Sequence, residues 1–231
     1  MLKEIQCLNA IAITAMETQD YREAAEALKH ALSELSTCAL EPSPLESDGV
    51  VSDLGDDCIE LEAVQTPCLR SPSATNGDFY HYPFSIESER VFQVEADEER
   101  TPNLSREEHA RCTIACFYNL ALCHQLQWLK TKSSSRLLQG AIKYYQDAYA
   151  FAHSFYQNKL TPRDSLLCVI MATCTNVASG MLEMGQVPQI AFWSGQLSRL
   201  VLFAHQGQER SNFFALTAFH NNLGYRTAQA A

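Results

Sequence analysis

Apolar residues recur at helical spacing through most of this chain. Over residues 2 to 17, Leu2, Ile5, Leu8, Ile11, Ala12, Ala15 and Met16 fall on one face, which predicts an amphipathic helix. Asp20 stands three residues before Glu23, the arrangement in which each side chain satisfies a free backbone N–H at a helix start. Tyr21, Ala24, Ala25, Leu28, Ala31, Leu32 and Leu35 then form the face of a second helix. The turn between the two is so short that they must be antiparallel neighbours. The same period returns after a second capping pair, Ser105 with Glu108. Helices are expected from there to about Leu129, from about Ser135 to Gln157, from Thr161-Pro162 until Gly185 stops the pattern, from Pro188 through Phe203, and from about Glu209 towards the C-terminus.

Between Glu41 and Asn103 the pattern breaks. From Glu41-Pro42-Ser43-Pro44 to Ala74, prolines, serines and acids dominate. Such a segment buries too little apolar surface to offset its ordering entropy, so residues 40 to 77 are expected to be disordered. Val50-Val51 and Ile59-Glu60-Leu61 are small apolar islands within it, and Ser43, Thr66, Ser71 and Thr101 each precede proline. Asp78 to Ala96 differs again. The runs Phe79 to Ile86 and Val91 to Val94 are β-prone and flank a polar Glu-Ser-Glu-Arg turn, which predicts a small β-hairpin over 79–95 lying across the helices. Pro83 confines its strand to an edge.

Charge separates the same two parts. Between Glu41 and Glu108 there are 17 acidic residues against Arg70, Arg90, Arg100 and Arg106, a charge of −13 within a chain of net charge −10. The acidity belongs to the insert, which would repel phosphates and argues against a nucleic-acid partner. No apolar run approaches the eighteen or so residues of a membrane span, and the amphipathic pattern begins at Met1-Leu2-Lys3-Glu4. No membrane partner and a cytoplasmic or nuclear location are therefore expected. Nine cysteines, most inside helical patterns, suit small buried hydrophobes in a reducing compartment.

Repetition carries the fold class. Asn119-Leu120-Ala121, Asn176-Val177-Ala178 and Asn222-Leu223-Gly224 recur at one place in first helices. Asp20-Tyr21-Arg22-Glu23-Ala24 and Gly140-Ala141-Ile142-Lys143-Tyr144-Tyr145 open second helices. The chain here resembles the tetratricopeptide repeat family over residues 2–36 and 105–229. The resemblance implies an all-α fold, an α-solenoid of antiparallel helix pairs. Residues 1–38 would form the first pair, 39–104 the acidic insert, and 105–231 pairs two and three plus a C-terminal helix, packed with 1–38 as one domain. Three departures stand out: a connection after Trp128 longer than the family's by about eight residues, an extra residue within Gln186-Val187-Pro188, and a last pair without its second helix.

The resemblance also implies a function. First helices of such arrays line a concave face that binds a peptide or protein partner, making the chain an interaction scaffold. The residues facing that groove would be Asn9, Ile13, Tyr118, Leu122, Gln125, Thr175, Ser179, Asn221 and Tyr225. The family's carboxylate clamp also needs lysines and arginine, and only asparagines stand at suitable places. The insert's acidity, set against a slightly basic body, suggests that residues 41–77 occupy the groove in cis. Two alternatives stay open. One is a structural subunit of a larger or homo-oligomeric assembly. The other is a cysteine-based zinc or redox protein, since Cys112, Cys116 and Cys123 share a helix face beside His124, although structural zinc sites usually draw paired ligands from short loops and the chain has no C-x-x-C. No cofactor is expected. The chain has no Gly-rich phosphate loop, no G-x-S-x-G turn and no H-E-x-x-H, which argues against an enzyme.

Overall fold

The computed structural model describes residues 1–38, 59–64, 79–88, 104–132, 134–156, 165–204 and Phe214. Six helices lie within them: α1 (Leu2–Glu17), α2 (Tyr21–Cys38), α3 (Arg106–Thr131), α4 (Ser135–Tyr156), α5 (Ser165–Glu183) and α6 (Val187–Ala204). Two strands, β1 (Ile59–Ala63) and β2 (Phe84–Ser88), join them, so the described chain is mostly helical with a small sheet. The expected helix near Thr161 and the one from Glu209 begin outside the described residues, as do Asn221 and Tyr225, the four Ser/Thr-Pro sites and the predicted strand 91–94.

Local chemistry sets the helix ends. Ser105 and Glu108 form the full capping box that opens α3, with Ser105 N–H donating to Glu108 at 2.8 Å and Glu108 N–H donating to the Ser105 hydroxyl at 3.1 Å. At α2, Glu23 N–H donates to the Asp20 carboxylate at 3.0 Å. The α1–α2 turn closes with Asp20 N–H on Ala15 C=O at 2.8 Å and Gln19 N–H on Met16 C=O at 3.0 Å, which places Gln19 at φ 63. The same two-bond closure ends α5, where a glycine fills the left-handed position: Gln186 N–H meets Met181 C=O and Gly185 has φ 68.

Each helix packs against the next in chain order, and α3 also touches α1 and α5. α3 thus lies beside both α1 and α5. α5 is buried on every side from Leu166 to Met181, with α4, α6, α3 and β1 packed against it. With a mean hydropathy of 1.7 it is long and apolar enough to cross a membrane, contrary to the sequence expectation, yet 89% of that window is buried inside the protein.

The sheet runs across α1, α3 and α5. β1 and β2 are antiparallel with Ile59 opposite Ser88, Leu61 opposite Ile86 and Ala63 opposite Phe84. β2 rests on α1 and α3, and β1 rests on α3 and α5. Strand alternation puts Ile59, Leu61, Ala63, Phe84 and Ile86 into the core while Glu60, Glu62 and Glu87 point outward. Two expectations are corrected here. Residues 59–63, expected to be disordered, form a strand, because the five-residue alternation of Ile-Glu-Leu-Glu-Ala gives one fully apolar face. And β2 pairs with that distant strand across the long stretch between Ala63 and Phe84.

Candidate functional site

Three asparagines, one each on α1, α3 and α5, converge on the backbone of one extended stretch, the strap of residues 79–88. Asn119, on α3, takes both main-chain groups of a single residue: Phe84 N–H donates to its Oδ1 at 2.9 Å, and its Nδ2 donates to Phe84 C=O at 2.8 Å. Asn9, on α1, donates to the same carbonyl at 3.0 Å and accepts from Asn119 Nδ2 at 2.8 Å. Four residues earlier the grip repeats. Tyr80 N–H donates to Asn176 Oδ1 at 2.7 Å, and Asn176 Nδ2 donates to Tyr80 C=O at 3.0 Å. Asn9, Asn119 and Asn176 are all buried, so each of these bonds is made away from water.

The register explains why Phe84 is available. Val64 N–H donates to Pro83 C=O at 2.8 Å, which makes 64/83, 62/85 and 60/87 the hydrogen-bonded pairs of the ladder. Phe84 and Ile86 of β2, and Leu61 of β1, therefore turn their own N–H and C=O groups outward. Asn119 and Asn9 meet those of Phe84, and the Ser165 hydroxyl accepts from Leu61 N–H at 3.2 Å. Pro83, which precedes β2 directly, accepts from Val64 N–H but has no N–H to return to Val64 C=O, so the ladder ends at this pair.

Below the strap lies a second layer of polar groups. Asn176 Nδ2 donates to the Tyr145 hydroxyl at 2.7 Å, and Tyr145 donates to Gln125 Oε1 at 2.8 Å. Tyr118 reaches Tyr80 C=O at 3.4 Å and its ring meets the Phe84 ring edge-on at 5.0 Å. Burial holds the Tyr118 and Tyr145 hydroxyls well above the ordinary phenol range, so both remain neutral donors. Phe79, Tyr80, Phe84 and Ile86 are themselves buried, with the Tyr80 ring 5.2 Å from that of Phe214.

This geometry corrects the picture of an open groove. Asn9, Ile13, Tyr118, Leu122, Gln125, Thr175 and Ser179 do stand on α1, α3 and α5, and every one is buried. Among the described residues, what covers the face is the aromatic stretch 79–88 with its paired strand β1, which itself belongs to the acid-rich 41–77. Only β1 and Val64 of that segment are described, and the rest lies outside the described residues. Asn119 and Asn176 were missed as site residues by one position each, beside Tyr118 and Thr175. Their signal was present in the recurring Asn-apolar-small triplet, since an asparagine repeated on an otherwise apolar face needs a polar partner.

Cysteine chemistry finds no support in the arrangement. Cys112, Cys116 and Cys123 are buried, and burial pushes the Cys112 thiol up to about 12 and those of Cys116 and Cys123 further still. Among the described residues, no three His, Cys, Asp or Glu side chains converge as metal ligands. Comparison of the chain with protein-family models, with curated proteins and with solved structures returns no match.

Proposed function

We propose that the protein is a protein-interaction module: a tetratricopeptide-like stack of helix pairs whose first-helix face holds an extended polypeptide by its backbone. The observation that carries this reading is the paired grip of Asn119 on Phe84 and of Asn176 on Tyr80, each taking the N–H and the C=O of one residue. Such a grip is blind to side-chain identity and fits any extended chain, while the aromatic pockets between α1, α3 and α5 supply selectivity. In the resting protein the chain's own segment fills the face, and a partner segment competes with it. The family resemblance and the side-by-side order of first helices support the stacked architecture.

The test uses the full chain carrying Tyr80→Ala and Phe84→Ala, which weakens the internal segment, and a labelled peptide of residues 78–88. The peptide should bind this variant more tightly than the intact chain. Binding should be lost with Asn119→Leu and Asn176→Leu, or when the peptide's Phe84 amide is methylated. A variant that keeps its helical circular dichroism yet binds no peptide refutes the reading.

A second reading rests on α6. Phe192, Leu202 and Phe203 are exposed, Leu202 by 73%, on the outer side of the last described helix pair. Exposed apolar side chains of this size suit a subunit that docks or self-associates. A monomeric mass at tens of micromolar, unchanged by Leu202→Glu, removes it.

A further inference from the structure

Beyond the strap-covered face, β2 carries at Ile86, a residue only 5% exposed, outward main-chain groups that no described residue hydrogen-bonds. Of its outward main-chain groups, those of Phe84 are bound by asparagines. Those of Ile86 face away from β1 by the ladder's register and have no partner among the described residues. The edge borders a groove of about 590 Å³ whose opposite wall is α1, from Gln6 to Glu17, and whose near wall is Val64 with Ser85, Ile86 and Glu87. At 1.5 Å of rise per residue, that stretch of α1 is about 17 Å long, the span of about five residues of extended chain. Ala10 and Thr14 on the wall are exposed, and Asn9 and Ile13 form the floor.

The charge around the groove has one sign. Glu17 and Glu87 line it, no Lys, Arg or His does among the described residues, and Glu60 and Glu62 stand on the sheet's outer face beside Glu87. That sign selects the occupant. The chain's own stretch between Cys38 and Ile59 has six acids and no Lys or Arg, and residues 89–103 have five acids against two arginines. A second copy would bring the same four glutamates, and its own β2 edge stands behind its own α1 wall.

We propose that the β2 edge takes an extended, basic segment of a partner protein by strand addition. The segment hydrogen-bonds Ile86 N–H and C=O, lies along α1, and places Lys or Arg side chains against Glu17 and Glu87. The face described above binds through asparagine side chains; this edge binds through the ladder itself.

A phage-displayed library of random ten-residue peptides, panned on the full chain, tests the proposal. Ala10→Arg is the blocking variant, since it fills the groove from an exposed helix position and leaves the core untouched. Enriched sequences should alternate apolar residues with Lys or Arg. Synthetic peptides from them should lose at least about tenfold in affinity with Ala10→Arg, and roughly fivefold with Glu17→Lys or Glu87→Lys at physiological salt. Bound peptide should slow hydrogen exchange at the Ile86 amide. Peptides without basic residues, binding indifferent to Ala10→Arg, an Ile86 amide unaffected by peptide, or no enrichment at all would each overturn it. Binding lost with Asn119→Leu but kept with Ala10→Arg would assign the peptides to the asparagine face and also overturn it.

Discussion

Replacing Asn119 by leucine removes three buried hydrogen bonds while nearly preserving side-chain shape. Phe84 N–H loses its acceptor at 2.9 Å, Asn9 Oδ1 loses its donor at 2.8 Å, and Phe84 C=O keeps only the bond from Asn9 at 3.0 Å. Two buried polar groups are thus orphaned, at about 1 to 3 kcal/mol each, against a small gain from burying a more apolar side chain. The expected destabilisation is about 4 kcal/mol, a large share of the roughly 5 to 15 kcal/mol that holds a domain folded, and a fall in Tm of about 10 °C. Urea unfolding followed by circular dichroism measures the loss. Hydrogen exchange locates it, because the Phe84 amide should become the most accelerated position in β2. A double-mutant cycle with Asn9→Leu should show coupling of at least about 1 kcal/mol through their shared carbonyl and mutual bond. A loss below about 1 kcal/mol with Phe84 still protected would mean that the strap is held by its aromatic burial and that the asparagines contribute little.

Three further outcomes follow from neighbouring geometry. Glu60 stands directly opposite Glu87 on the exposed side of the sheet, so Glu60→Lys should stabilise the protein by about 0.5 to 1 kcal/mol in a urea titration, with the gain shrinking in 1 M salt. A Cβ on Gly180 would lie 2.9 Å from Ile142 Cγ1 and 3.0 Å from its Cδ1. The helix-propensity gain of about 1 kcal/mol is then outweighed by overpacking, and Gly180→Ala should cost about 1 kcal/mol net, less on an Ile142→Val background. Burial lowers the His81 pKa from 6.5 to about 4, and its Nδ1 has no hydrogen-bond partner. Between those values the unfolded chain binds a proton that the folded chain refuses. Stability from this residue is therefore full above pH 6.5 and falls as pH drops towards 4, by up to about 1.4 kcal/mol per pH unit. The pH dependence of unfolding should flatten in that window for His81→Phe, and an unchanged slope would rule out the buried neutral ring.

The helices follow from local pattern. The faces of α1 and α2, the Ser105–Glu108 box and the Gly185 stop are all decided by residues within one or two turns of each other, and the expected ends of α1, α3, α4 and α6 lie within about two residues of those observed, inside ordinary boundary scatter. The recurring asparagine triplet was legible as well, although what it faced was not.

The strap was decided elsewhere. Ile59-Glu60-Leu61-Glu62-Ala63 alternates as a strand should, but an isolated five-residue strand in an acidic stretch has no reason to order by itself. It orders because β2 lies within reach and because α3 and α5 cover its apolar face. In the same way, the family resemblance implied that Asn9, Ile13, Tyr118, Leu122, Gln125, Thr175 and Ser179, on α1, α3 and α5, share one face. Periodicity assigns a face and cannot say what covers it. Only the pairing of residues 59–63 with 84–88, twenty-one to twenty-nine positions apart, turned that face from a surface into an interior and left the Ile86 main-chain groups without a partner among the described residues.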